Sequence, residues 1–226
     1  MDGRVKIEGC EVNYIPMPVE ELFHRVYFHQ EFDVAELGFS PFLISLSRGP
    51  APEGKSLVEM LAEGELDAVM TARAPSCFIN GHPNVVRLYE DFRAAEKEYY
   101  ARTTIFPIMH ALGIRNDLAE EHPWLPASVF KAFVEAKRIA DAELREVAAL
   151  KITLPWLRAE LESTIEVMGE DFWPYGVEAN RHTLETMSRY SFEQGLAVKQ
   201  LTVEEMFAEL ALSETKVWEG SLQSRP

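Results

Sequence analysis

The sequence predicts an α/β protein whose parallel strands carry a ligand site at their carboxyl ends. The main observation is an internal echo. A helix, the strand EFDVAELG and a Ser-Pro-Phe turn are followed by a second helix, the strand ELDAVMTA and a turn with Ala-Pro-Ser-Cys-Phe. Two copies of this order are typical of related βαβ halves, whose strands run parallel. Because ligands lie beyond the carboxyl ends of such strands, both turns are expected at a ligand site.

The first half of the chain is predicted to consist of short alternating elements. A strand is expected at 12–15, and apolar residues at a spacing of 3.6 indicate an amphipathic helix over 19–27. The motif Ser-Leu-Val-Glu beginning at Ser56 is a capping box, which marks the start of another helix. The β-branched and aromatic run 102–114 predicts a long buried strand that Pro107 interrupts.

The second half is predicted to be helical. Apolar periodicity indicates helices over 128–150, 156–168 and 178–195. A second capping box, beginning at Thr202, predicts a last helix near Phe207. Strands are therefore expected only in the first half of the chain.

The charge balance argues against two classes of partner. The formal net charge is −15, from 37 acidic and 22 basic residues. Such a surface repels phosphate backbones and anionic lipids, so nucleic acid and membranes are not expected as partners. No apolar run reaches the length of a membrane-spanning helix, and the first residues lack the apolar region of a secretory signal. The cytoplasm is therefore the expected compartment.

The motifs of metal and cofactor chemistry are absent from the sequence. It contains no GxGxxG, P-loop, GxSxG, HExxH or EF-hand pattern. Cys10 and Cys77 form no CxxC pair, so a thiolate metal site is not expected. His24 and His29 are five apart on their helix, whereas metal-binding pairs are three or four apart, so their side chains are expected on different faces. We expect no metal and no cofactor, and a small organic molecule as the ligand.

Several motifs together carry a resemblance to a known family. They are the opening DGRVKIEG, the two echo strands with their turns, and the runs YY, RT, IFPIMH, HPWL and WPYGVEANR. Up to about Phe207 the chain resembles the 4,5-dihydroxyphthalate decarboxylase family. The resemblance implies a type II periplasmic-binding-protein-like fold, with parallel or mixed sheets, two lobes and a helical C-terminal part.

The sequence departs from the family pattern in two places. Family members carry an earlier first strand and a long central segment that would fall between Gly49 and Pro50. This sequence has neither of these two parts. We therefore expect a reduced second lobe. On this interpretation, 1–49 form the N-terminal part of the first lobe, 50–104 are a remnant of the second, and 105–226 form a crossing strand and helices that return to the first.

The resemblance also implies a reaction. Family members are carboxy-lyases of phthalate degradation and aromatic catabolism that remove one carboxylate from a dihydroxybenzene dicarboxylate without a cofactor, which gives a protocatechuate-like product. A ring carbon must accept a proton before carbon dioxide leaves. The site then needs a general acid, a cation for the remaining carboxylate and polar partners for the hydroxyls. A small aromatic carboxylate is the implied partner, and self-association into a homo-oligomer is implied as well.

Five residues are candidates for this site. His110, at the end of the presumed buried strand, is the candidate proton donor; the alternative is a core histidine bonded to backbone. Arg73 follows the second echo strand and Arg102 starts the crossing strand, and each guanidinium suits a ligand carboxylate. The alternatives are a surface ion pair for Arg73 and a structural pair with Glu98 or a neighbour for Arg102. Ser40 and Ser76 occupy equivalent turns, where they bind an anion or only cap a helix.

Other residues are expected to be structural. Cys77 is interpreted as a small buried residue. The motif around Trp173, Tyr175, Asn180 and Arg181 either walls an aromatic ligand or packs and caps between helices, and packing is favoured. Two rivals to the enzyme stay open: a non-catalytic protein that binds an aromatic carboxylate on the same fold, and a truncated inactive homologue.

Overall fold

The computed structural model describes residues 4–38, 56–69 and 73–207. Within these ranges the chain is an α/β protein in which helices dominate and two short strands pair. The elements are α1 (Val19–His29), β1 (Val34–Gly38), α2 (Leu57–Glu63), α3 (Ser76–Ile79), α4 (Phe92–Thr103), β2 (His110–Ile114), α5 (Asn116–Glu121), α6 (Leu125–Arg145), α7 (Leu157–Met168), a 3-10 turn (Glu178–Asn180), α8 (Arg181–Glu193) and α9 (Val203–Met206).

The chain divides into two compact units. The first unit is formed by Met1–Arg48 and Thr103–Pro226, and the second unit by Gly49–Arg102. The assignment of these units to the lobes of a binding-protein fold stays a prediction.

Strands β1 and β2 form an antiparallel ribbon in the first unit. The register pairs Val34 with Ile114, Glu36 with Leu112 and Gly38 with His110. The first echo strand is thereby confirmed. No strand is present over 65–69, the described part of the second echo strand, so the parallel pair that the echo predicted is not seen among the described residues.

The long strand predicted over 102–114 is wrong in its first half. Helix α4 continues to Thr103, because its Ala, Glu and Lys residues favour a helix. The chain then changes direction at Thr104, whose φ is 55°. The strand begins only after Pro107, which lacks the backbone N–H that a ladder requires.

The short strand predicted at 12–15 is also wrong. These residues belong to neither strand of the ribbon. Alternating sequence makes a segment suitable for a sheet, but a strand exists only where a second segment supplies hydrogen-bond partners.

Both predicted capping boxes are confirmed. The Ser56 hydroxyl accepts from the Glu59 N–H at 3.3 Å, and the Glu59 carboxylate accepts from the Ser56 N–H at 2.8 Å. At α9, Thr202 and Glu205 make the same reciprocal pair at 3.2 and 2.9 Å. Each box satisfies N–H groups that have no partner within the helix, so these starts were visible in the sequence.

The predicted amphipathic helices are confirmed with shifted ends. Helix α6 begins at Leu125, three residues earlier than predicted, because Pro126 is accommodated in its first turn. Helix α7 matches the predicted range to within one residue, whereas α8 covers Arg181–Glu193 of the predicted 178–195 and follows a 3-10 turn. A core cluster in the first unit consists of Val177, Leu184 and Val203, and Ile108 and Ala111 at the start of the ribbon pack against it. The core cluster therefore ties β2 to the C-terminal helices.

No helix within the described ranges is both long and apolar enough to cross a bilayer.

Replacement of Leu184 tests the core cluster. Leu184 is only 2% exposed, so Leu184→Ala should lower the free energy of unfolding by about 2–5 kcal/mol through lost burial and a cavity. The measurement is urea denaturation followed by circular dichroism. Leu150→Ala is the control: that leucine is 56% exposed, and its replacement should cost within about 0.5 kcal/mol. Equal costs for the two variants would contradict the assignment of the core cluster.

Candidate functional site

The candidate site in the first unit is built on the contact between His110 and Glu36. The Nδ1 atom of His110 lies 2.8 Å from Oε1 of Glu36. Because an ionised carboxylate only accepts hydrogen bonds, the Nδ1–H of the imidazole is the donor. The other ring nitrogen, Nε2, is then left for a ligand.

The antiparallel register produces this contact. His110 is paired with Gly38, and Glu36, two residues away, is paired with Leu112. Residues two apart on a strand share a face, so Glu36 and His110 are diagonal neighbours on one face of the ribbon. Backbone pairing between segments more than 70 residues apart in sequence therefore brings the Glu36 carboxylate and the His110 imidazole together.

Helix α1 also contacts His110, through an aromatic side chain. The ring of Phe23 meets the His110 ring edge to face, with 5.9 Å between the centroids. Phe23 in turn contacts Tyr27 at 6.3 Å. The imidazole is thus bounded by an aromatic ring as well as by its carboxylate partner.

The expectation of a buried His110 at the end of a strand is wrong. His110 is the first residue of β2, and its side chain is 43% exposed. Ala111 packs toward the core cluster, and successive side chains on a strand point to opposite faces. The alternative of a core histidine is therefore wrong as well, and the imidazole is accessible to a ligand.

The turn Trp173–Gly176 belongs to the same unit. The Asn180 side chain donates to the carbonyls of Pro174 at 2.9 Å and Gly176 at 2.8 Å. Arg181 binds Glu178 at 2.7 Å and Glu204 at 2.9 Å. The structural interpretation of Asn180 and Arg181 is thereby confirmed, since their polar atoms are used to hold the turn and its neighbouring helices.

Two aromatic rings lie partly exposed beside each other in this unit. The centroids of Phe106 and Trp173 are 5.5 Å apart. Their exposed fractions are 37% and 46%. Rings that remain accessible in this way can stack with a flat aromatic ligand.

Tyr175 lies in a field of charges. Burial is the main cause that raises the pKa of its phenol, and the carboxylates of Asp141 and Glu36 raise it further, whereas Lys137 lowers it. The Lys137 ammonium is 5.7 Å from the centre of the Tyr175 ring. Glu36 of the ribbon therefore affects the pKa of Tyr175 in the turn.

The Lys137 ammonium is already bound by carboxylates. It lies 2.5 Å from Asp171 and 3.6 Å from Asp141. Its charge is therefore largely balanced within the protein, and a second anion would have to compete for it.

Three of the five candidates lie in the second unit. Arg73 is exposed in the segment before α3. Ser76 is also exposed and is the first residue of α3, whose N-cap is Pro75, so the N-capping alternative for Ser76 is wrong. Cys77 is 8% exposed, which confirms it as a small buried residue.

The position expected for Arg102 is wrong. It lies in the last turn of α4 and not at the start of a crossing strand. Its guanidinium is 5.6 Å from the centre of the Tyr99 ring, in a cation–π contact. This contact is a structural role of the kind expected as the alternative.

The remaining candidate, Ser40, lies outside the described residues. A shared crevice between Ser40 and Arg73 therefore stays a prediction. Sequence reasoning missed Glu36, although its position in the first echo strand on the face opposite Ala35 was a usable signal.

The expectation that His24 and His29 lie on different faces is wrong. Their ring centroids are 5.3 Å apart. Both histidines lie within α1, where His29 is the last residue, and their side chains bring the two rings together in spite of the five-residue spacing. Over the ranges that the structure describes, no group of three or more His, Cys, Asp or Glu residues is arranged to hold a metal.

Two cavities among the described residues lie elsewhere. One of about 310 Å³ is lined by Leu144, Leu154 and neighbouring residues between α6 and α7. Another of about 480 Å³ lies beside residues 200–204. Neither cavity is lined by His110 or Glu36, so the candidate site is defined by the His110–Glu36 pair and not by a cavity.

Comparison with known proteins finds relatives of this α/β chain that are named as decarboxylases. No protein-family profile matches it. A relative from Comamonas testosteroni named 4,5-dihydroxyphthalate decarboxylase is 42% identical over 167 residues, which are 74% of this chain and 51% of the relative. A protein of the same name from Pseudomonas putida is 56% identical over 50 residues, 22% of this chain and 19% of the relative.

The chain belongs to the 4,5-dihydroxyphthalate decarboxylase family, as its motifs indicated. It spans about half the length of the Comamonas relative.

The charge field around Tyr175 is open to a direct test. Because Lys137 lowers and Asp141 raises the Tyr175 pKa, Lys137→Met should raise that pKa and Asp141→Asn should lower it. The pKa is measured by tyrosinate absorbance as the difference from the Tyr175→Phe protein. Shifts in the same direction for both variants would contradict the assigned causes.

Proposed function

We propose that this chain is a cofactor-independent decarboxylase of a hydroxylated aromatic dicarboxylate such as 4,5-dihydroxyphthalate. The observation that carries the proposal is the 42% identity to a protein of that name over 74% of the chain. The His110–Glu36 pair supports it, because it supplies a proton donor on an accessible face. We also propose the type II periplasmic-binding-protein-like fold, on the same family relationship.

The reaction consumes one proton for each carbon dioxide released. The ring carbon that bears the departing carboxylate accepts a proton, and the hydroxyls donate electron density that stabilises the protonated ring. The carbon–carbon bond to the carboxylate then breaks, its electron pair restores the aromatic ring, and carbon dioxide leaves. The catalytic requirement is therefore a general acid close to one ring carbon.

His110 is the proposed general acid. With Nδ1 directed at Glu36, the proton is delivered from Nε2 and is replaced from water at the exposed side chain. Imidazole is suited to this task because it exchanges protons near neutral pH. The exposed rings of Phe106 and Trp173 are proposed to contact the ring of the substrate.

The substrate brings two negative charges to an acidic chain. Arg73 and Arg102 are the proposed cations for its carboxylates, since a guanidinium binds a carboxylate through two parallel hydrogen bonds. Ser40 and Ser76 are the proposed partners of its hydroxyls or of the second carboxylate. Among these, Arg102 would have to leave its contact with Tyr99.

Binding without turnover is the second candidate function. It is favoured by one observation: the chain spans 51% of its relative, so groups that the relative uses for chemistry can lie outside the matched part. The ligand class is the same, an aromatic carboxylate, and the two functions differ only in whether carbon dioxide is released.

The decisive experiment incubates the purified chain with 4,5-dihydroxyphthalate and follows carbon dioxide and the product. His110→Ala should lower kcat by about 10²–10⁴-fold, the usual contribution of a general acid. The control is His182→Ala, since His182 is an exposed histidine on α8 and its loss should leave kcat unchanged. Equal activity of the His110 and His182 variants would contradict the assigned proton donor.

Arg73 is tested by affinity. Arg73→Ala should raise KM by about 10-fold or more through loss of a charge-assisted bidentate contact, with a smaller effect on kcat. Arg93→Ala, an exposed arginine on α4 of the same unit, is the matched control. Saturable binding of 4,5-dihydroxyphthalate, measured by calorimetry, without release of carbon dioxide would contradict the decarboxylase proposal and support the binding function.

A further inference from the structure

We infer that Glu36 is the positioning residue of His110: it holds Nδ1 of the imidazole and so keeps Nε2 available to the substrate. This inference rests on the proposed function, in which His110 gives the proton. It assigns a task to a residue whose carboxylate lies 2.8 Å from Nδ1 of the imidazole.

The backbone fixes the geometry of this pair. Both residues lie within the paired strands, with Glu36 opposite Leu112 and His110 opposite Gly38. Phe23 of α1 meets the imidazole edge to face, with 5.9 Å between the ring centroids. The ring is thus held by a ladder, a carboxylate and an aromatic edge, which limits its rotation.

A carboxylate on Nδ1 has two chemical consequences. It selects the tautomer that carries hydrogen on Nδ1, and it stabilises the imidazolium, the form that gives up a proton from Nε2. Catalytic triads use the same arrangement of carboxylate, imidazole and reacting group. The inferred role of Glu36 is therefore orientation and charge, without contact to the substrate.

The exposure of the pair argues against a purely structural ion pair. The side chains of His110 and Glu36 are 43% and 55% exposed. Ion pairs this accessible to water contribute little to folding stability. Near the pair, the charged side chains of Lys137 and Asp141 shift the pKa of Tyr175 together with Glu36. The residue of α1 that contacts His110 is Phe23, which is uncharged.

Three substitutions separate orientation from charge. Glu36→Gln keeps an acceptor oxygen without the charge, Glu36→Val removes both and suits a strand, and Glu36→Asp keeps the charge on a shorter side chain. The matched control is Glu121→Gln, because Glu121 lies 3.9 Å from His122 and is another carboxylate beside a histidine of the first unit.

The kinetic readout is the split between kcat and KM for 4,5-dihydroxyphthalate. Glu36→Gln and Glu36→Val should lower kcat by about 10–10²-fold with KM within about twofold, because the lost interaction acts on proton transfer and not on binding. Glu36→Asp should recover part of kcat. Unfolding midpoints of all variants should stay close to that of the unaltered protein. Unchanged kcat in both Glu36→Gln and Glu36→Val would overturn the inference.

The second readout does not depend on turnover. Imidazole nitrogen chemical shifts from NMR report which nitrogen of His110 carries hydrogen, with His110→Gln used to assign the signals. The Nδ1–H tautomer should dominate in the unaltered protein and in Glu36→Gln, and should lose its dominance in Glu36→Val. The same tautomer mixture in all three proteins would overturn the inference. If the unaltered protein releases no carbon dioxide, the proposed function fails, and the NMR result alone decides whether Glu36 holds His110.

Discussion

The packing of the core cluster is the constraint on which the candidate site depends. Val177, Leu184 and Val203 join the Trp173–Gly176 turn, α8 and α9, and Ala111 of β2 packs against them. Because side chains alternate along a strand, anchoring Ala111 directs its neighbour His110 to the opposite face. The hydrophobic packing of Ala111, together with the pairing of β2 with β1, thus determines the face on which the His110 imidazole lies.

Charge is the second organising factor. The chain carries a net charge of −15, yet the proposed substrate is a dianion. Lys137 of the first unit is bound to Asp171 and Asp141, and the proposed cations for the substrate are Arg73 and Arg102 of the second unit. The first unit instead offers an imidazole, a carboxylate and accessible aromatic rings.

The first echo strand combines a structural and a chemical role. Its residues Val34 and Leu37 are partly buried, whereas Glu36 is exposed. The strand supplies hydrogen bonds to β2 through its backbone and a carboxylate to His110 through one side chain. The strand that the repeated apolar pattern predicts is therefore also the strand that supplies the carboxylate partner of His110.

The sequence by itself determined the features that depend on neighbouring residues. The capping boxes at Ser56 and Thr202, the amphipathic helices and the first echo strand all follow from local hydrogen bonding and periodicity, and the family follows from local motifs. Only the tertiary structure decided the antiparallel pairing of β1 with β2, the exposure of His110 and its contact with Glu36. Each of these is a contact between segments distant along the chain, and the alternation of residues within one strand carries no information about which strand will pair with it or in what direction.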